Sequence, residues 1–108
     1  MDEVDLSAFK NTQWNGCIEA ELSRAEARLQ AAYRKLETSL SDPKLALPDA
    51  DPDLHLKFSV AQISWRKFRD DYCEFDAGSG EAPNPEYNRL DCLVDLTREQ
   101  AKRLEGTP

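Results

Sequence analysis

The sequence predicts an all-α fold, a small bundle of three to four helices with the first two antiparallel and one disulfide. Three observations predict it. Apolar residues recur at steps of three and four through two long stretches, 14–40 and 54–75. Segments rich in Pro, Gly and Asp, "DPKLALPDADPDL" and "DAGSGEAPNPE", separate these stretches from each other and from the last third. No stretch worth defending alternates apolar and polar residues as a half-buried strand does.

Residues 1–11 read as an acidic lead-in, and 12–105 as a single helical domain. The first helix is expected from Asn11 or Thr12, either of which can cap it. Its apolar stripe is Trp14, Ile18, Leu22, Ala25, Leu29, Ala32 or Tyr33, Leu36 and Leu40, with Glu19, Arg24, Arg28, Arg34 and Lys35 on the solvated face. Pro43 disfavours helical geometry in the residue before it, so this helix stops near Ser41. The second helix is expected to start with Asp51 as N-cap and Pro52 in the first helical position. Its stripe is Leu54, Phe58, Ala61, Trp65, Phe68, Tyr72 and Phe75, and Trp65, Phe68 and Tyr72 are expected at the centre of the core. In the last third Leu90, Leu93 and Val94 form an apolar patch. A capping box of Thr97 and Gln100, with Leu96 and Ala101 as a staple, predicts a break near 95–97.

The chain has 21 acidic and 14 basic residues, a net charge of −7. That balance argues against a general nucleic-acid binder, which must neutralise phosphates, and favours basic partners or plain solubility. No apolar run is long enough to span a bilayer, and no basic segment follows Met1 as in an export signal.

With antiparallel first and second helices, Cys17, Cys73 and Cys92 all gather at one end of the bundle, and any two of them can meet. The pair Cys73–Cys92 is favoured because it ties the Gly/Pro segment shut. Cys17 is then expected to be a buried free thiol, or an alternative partner in the bridge.

Little in the residues suggests catalysis. His55 is the single histidine, and no nucleophile elbow, phosphate loop or metal-spaced cluster occurs. Asp49, Asp51 and Asp53 alternate like the start of a calcium loop, but Leu54 stands at the turn-glycine position and Val60 at the bidentate-glutamate position. Asp70 and Asp71 are adjacent, so on a helix they point about 100° apart and do not converge on one substrate atom. A binding protein without metal or cofactor is expected, not an enzyme. Arg66 and Asp70 are placed to form a surface pair. Gln62, Arg69 and Asp70 are placed to tie down the neighbouring Gly/Pro segment.

The segment "AQISWRKFRDDYC", 61–73, resembles the A-Q-x-x-W-x-x-[FY]-R-D-x-x-C signature of the LprI-type lysozyme inhibitor domain. "TQWNGC" and "AEARLQAAYRKL" are similar to two preceding blocks of that family, and "CLVDLTREQAKRLE" to its C-x-x-x-L-T-x-x-R-x-x-x-L block. Glu26 stands where the family usually has Asp, Gln30 where it has Asn and Gln100 where it has a second Arg. The four blocks run in order from about Thr12 to Leu104.

The resemblance implies a bacterial, periplasmic or secreted helical domain with a disulfide, its export signal removed. It also implies a protein that binds and inhibits a lysozyme or other cell-wall hydrolase. The alternative is an envelope interaction module with a different protein partner. Oligomeric state is left open. An acidic inhibitor would be steered to a basic enzyme. The expected inhibitory segment is 76–88, pinned by Cys73 and Cys92. Its partner-binding candidates are Arg69, Asp70, Ser79 and Arg89, with Arg69 or Arg89 reaching the enzyme's catalytic carboxylates.

Overall fold

A computed structural model describes residues 6–44, 51–79 and 84–107, with side chains from residue 16 onward. It contains three helices, α1 (Leu6–Ser41), α2 (Leu54–Ser79) and α3 (Pro85–Glu105). Charged and aromatic pairs fix their directions. Glu26 meets Arg66 and Arg69, Tyr33 stacks on Phe58, and Glu37 meets His55, so α1 and α2 are antiparallel as expected. Arg28 pairs with Glu105 and Glu21 with Arg98 at the same sequence offset, so α1 and α3 run parallel.

The α1 stripe is as the spacing predicts. Ile18, Ala25, Leu29, Ala32 and Leu36 are buried, with Leu22, Tyr33 and Leu40 packed at the margin. Glu19, Arg24, Arg28, Arg34 and Lys35 are exposed. The helix ends at Ser41, just before Pro43. Its start differs from expectation: the backbone is already helical at Leu6, so Asn11 and Thr12 lie inside the helix and do not cap it. The expected burial of Trp14 lies outside the described side chains.

At the head of α2 the residue before Leu54 is Asp53, so Asp51, the expected N-cap, lies two positions further out and braces the entry turn. Its carboxylate accepts the Asp53 N–H at 2.8 Å and binds the Lys57 ammonium, and its carbonyl accepts the Leu54 N–H at 3.0 Å. Pro52 and Asp53 form a turn, which moves the first helical residue to Leu54.

The packing face of α2 corrects the sequence reading. Phe68 is 56% exposed and Tyr72 45%, so neither is core, and Leu54, Ala61 and Phe75 are exposed too. Trp65 and Phe58 are half-buried against the second of two core clusters. The buried α2 residues are Arg69 and Cys73, each one position beyond an expected core aromatic. One residue turns a helix by about 100°, so α2 is rotated by about that angle from the face the aromatic spacing selects. A buried ion pair and the disulfide occupy the interface in place of the rings.

Helix α3 is the most buried of the three, with Leu90, Cys92, Leu93, Val94, Thr97, Gln100, Ala101 and Leu104 inside. Asn84 caps it by accepting the Tyr87 N–H at 3.0 Å, and Pro85 fills the first helical position. The expected break near 95–97 does not occur, since α3 is continuous to Glu105. Thr97 is fully buried and uses its hydroxyl as an acceptor from Arg69, and the Gln100 side-chain carbonyl accepts from Arg103. Both side chains are thus committed elsewhere than to a cap.

Candidate functional site

Where the three helices meet, one polar centre replaces apolar packing. The Arg69 guanidinium is 7% exposed. It donates to the Glu26 carboxylate of α1, to Thr97 Oγ1 of α3 at 3.1 Å and to Asp70 Oδ1 at 2.9 Å. It also lies 5.3 Å from the centre of the Trp65 ring, close enough for a cation–π contact. Arg66 adds a second, weaker contact to Glu26 at 3.4 Å. Among the described residues no buried side-chain nitrogen or oxygen lacks a partner. Such a centre fixes which residues face one another, because any other register strands a buried charge.

Two expectations are thereby corrected. Arg69 does not tie down the described part of the Gly/Pro segment, and it is not placed to reach a partner's cleft; it is buried among three helices. Arg66 and Asp70 do not pair with each other, because Glu26 and Arg69 take them instead. The adjacent carboxylates of Asp70 and Asp71 are each held by a separate base, Arg69 and Lys67, as a surface would hold them and not a shared acid–base site. An open groove of about 670 Å³ lies along the seam of α1 and α2, lined by Leu29, Tyr33, Gln62, Arg66 and both of these aspartates.

At the other end of α2, Cys73 and Cys92 form the disulfide, with Cα atoms 5.5 Å apart. Cys17 is free, but it is exposed where a buried thiol was expected, because its neighbour Ile18 takes the inward position. The expected inhibitory segment 76–88 is largely helical: α2 continues to Ser79 and α3 starts at Pro85, and 80–83 lie outside the described residues. Ser79 is exposed on the last turn of α2, donating to the Asp76 carbonyl at 3.2 Å. Arg89 lies on the first turns of α3, paired with Glu86 and 3.8 Å from Glu74. These carboxylates and the charge of Asp70 hold it more firmly protonated, the Glu86 hydrogen bond contributing most. The structure thus gathers Asp70, Glu74 and Arg89 on one side of the disulfide end. Ser79 lies about 14 Å further along α2 from Asp70, at 1.5 Å per residue.

The family model described as lysozyme inhibitor LprI matches residues 7–104. The chain belongs to the LprI lysozyme inhibitor family. No curated protein and no solved structure matches it. Residues of the LprI blocks build the polar centre and the bridge: Glu26, in place of the usual Asp, from the second block, Arg69 and Cys73 from the third, Cys92 and Thr97 from the last. In this LprI domain these signature residues therefore specify the bundle, and a partner surface must be sought among the side chains they leave exposed.

The charges along the helices are unevenly placed. In α2 every Lys and Arg (Lys57, Arg66, Lys67, Arg69) precedes every acid (Asp70, Asp71, Glu74, Asp76). No base lies in its last turn. That order opposes the helix macrodipole, which favours cations near the C-terminus by about 0.3–1 kcal/mol each. Helix α3 does the opposite, with Glu86 in its first turn and Lys102 and Arg103 in its last. The carboxylates also crowd between helices. Desolvation pushes the Asp91 carboxyl above the usual range, and Asp95, Glu21 and Asp76 push it further, against the pull of Arg98. A carboxyl with a raised folded pKa weakens the fold once ionised, so its unfavourable contribution is present at neutral pH. It disappears as pH falls through the folded value towards the unfolded one. Asp91→Asn is accordingly expected to raise the melting temperature at pH 7, with the gain fading as pH falls through the folded value and gone by about pH 4, near the unfolded value. Thermal melts of the two proteins across pH check this.

Proposed function

We propose that this LprI domain binds and inhibits a lysozyme or related peptidoglycan hydrolase in the bacterial cell envelope, and catalyses no reaction itself. The observation that carries the reading is the family match over 7–104, nearly the whole chain. Physical chemistry supports it. A net charge of −7 steers the protein toward basic enzymes, as many animal lysozymes are, and a glycosidase cleft built on two carboxyl groups is blocked by any rigid body seated over it. The three described helices, of 36, 26 and 21 residues, pack into an elongated body suited to that task. No described helix is long and apolar enough to cross a membrane.

The contact region is the disulfide end, with Ser79, Arg89 and Asp70 as candidate contacts. Arg89 is the basic side chain there that retains solvent access, at 31%. The test is lysis of bacterial cell walls by lysozymes of different types, with and without the protein in molar excess under non-reducing conditions. Dose-dependent protection against one type is expected. Lysis unchanged across the whole panel would remove the inhibitor reading and leave an envelope module with another partner.

A further inference from the structure

Every large apolar side chain exposed among the described residues lies on α2: Leu54, Leu56, Val60, Ile63, Phe68, Tyr72 and Phe75. On an amphipathic helix such residues ordinarily face the core, and a concentration of them in water marks a surface that something covers. They form two patches of different charge. Leu56, Val60 and Ile63 share their half of the helix with Lys57, Arg66 and Lys67, while Phe68, Tyr72 and Phe75 share theirs with Asp70, Asp71 and Glu74.

We propose that the second patch, the C-terminal half of α2 from Phe68 to Ser79, is the docking face for a basic protein, with Phe68, Tyr72 and Phe75 as its anchors. The proposal deepens the inhibitor reading and rests on it, naming the surface and the charge of the partner. Charge complementarity selects the occupant. From Asp70 to Ser79 the helix carries four carboxylates and no Lys or Arg, although bases there would have suited the macrodipole. At 100° per residue, Asp71, 67% exposed and paired with Lys67, borders the rings on one flank and Asp76 borders them on the other, while Asp70 and Glu74 lie across the helix beside Arg89. Glu21, Asp91 and Asp95 extend the negative field onto the neighbouring helices.

The anchors are also ordered in advance. Phe68 and Tyr72 stack with centroids 5.6 Å apart, and Tyr72 and Phe75 follow at 6.2 Å, so the three rings form a ladder on one face. Aromatic residues already held in place lose little freedom on binding and dominate the energetics of interfaces. The next positions along, Arg69 and Cys73, fix the helix through the polar centre and the disulfide, so the rings are carried on a rigid support. The patch is continuous with the disulfide end, since Phe75 lies about one turn from Ser79.

Titration calorimetry against a strongly basic animal-type lysozyme tests this, with the wild type, Tyr72→Ser/Phe75→Ser and Leu56→Ser/Val60→Ser. All four substituted residues are exposed, so each variant should melt close to the wild type. The aromatic pair is expected to weaken binding at least tenfold, roughly the effect of losing one interface hot spot, and the aliphatic pair by less than about twofold. Higher salt should weaken wild-type binding. Equal binding by the wild type and the aromatic variant would overturn the proposal while leaving the inhibitor reading intact. A wild type that binds no basic lysozyme would overturn the proposal, and the inhibitor reading falls with it only if cell-wall lysis is also unchanged across the whole panel. Light scattering that shows a wild-type dimer, made monomeric by the aromatic substitutions, would assign the patch to a second copy and also overturn the proposal.

Discussion

Arg69→Met is expected to lower the stability of the bundle by about 3 kcal/mol, at the low end for removing one partner of a buried ion pair. The low end applies because the Glu26 side chain, 29% exposed, keeps some contact with water after its partner is gone. Thr97 loses its donor in a fully buried position, and Asp70 and Trp65 lose a neighbour each. For a domain of this size the melting temperature should fall by about 15 °C. Arg69→Lys should be intermediate, because an ammonium keeps the charge but cannot present a planar fork to Glu26, Asp70 and Thr97 together. Combining Glu26→Gln with Arg69→Met should give less than the sum of the two single effects, since each removes the same interaction. Urea denaturation of the wild type and the four variants measures all of these.

The disulfide is the second large contributor. It closes a loop of 19 residues between the ends of α2 and α3. The chain-entropy model assigns such a loop about 3 kcal/mol through restriction of the unfolded chain. Cys73→Ala/Cys92→Ala should therefore approach the effect of Arg69→Met, and the two should be nearly additive only if the bridge and the polar centre act independently. One buried turn separates Arg69 from Cys73, which predicts coupling instead. Intact mass should rise by two hydrogens on reduction of the folded protein. A thiol reagent applied without reductant should label Cys17 alone, since Cys17 is exposed and the other two cysteines are bridged. The same protein under reducing conditions should melt earlier, because the unfolded chain is then no longer restrained by the bridge.

Much of the fold is legible in the sequence, for identifiable reasons. In α1 the buried face is purely apolar, so the spacing of Ile18, Ala25, Leu29 and Leu36 states it directly. The end at Ser41 follows from Pro43, and the bridge from the position of two cysteines on either side of one loop. Helix α2 is misread because its buried face contains Arg69 and its exposed face contains Phe68, Tyr72 and Phe75. A rule that places rings inside and charges outside must choose the wrong side there. The signal that corrects it is local: Arg69 and Cys73 are four apart, hence on one face, and Cys73 must face inward to reach Cys92. The break expected at 95–97 fails for a related reason, since Thr97 spends its hydroxyl on Arg69, a residue 28 positions away that no local pattern reveals. Glu26 was visible as a departure within its block, but its role as the partner of Arg69 required the structure.

The candidate site divides along the same line. Of the four residues expected to touch a partner, Arg69 is internal, Asp70 is half committed to it, and Ser79 and Arg89 remain accessible. Signature residues such as Arg69 and Cys73 thus maintain a frame, and the proposed contacts lie among the side chains it leaves exposed. Helix α2 serves both ends, with its polar and sulfur face turned inward and its aromatic and acidic face turned out.

The measurement that bears most directly on this division is inhibition of cell-wall lysis by a strongly basic lysozyme, titrated with the wild type and with Arg69→Met. Both are assayed well below either melting transition, with circular dichroism showing that each is helical. The account predicts dose-dependent protection by both proteins with the same midpoint, despite the lower stability of the variant. Loss of protection in a fully folded Arg69→Met, or no protection by either protein, would contradict it.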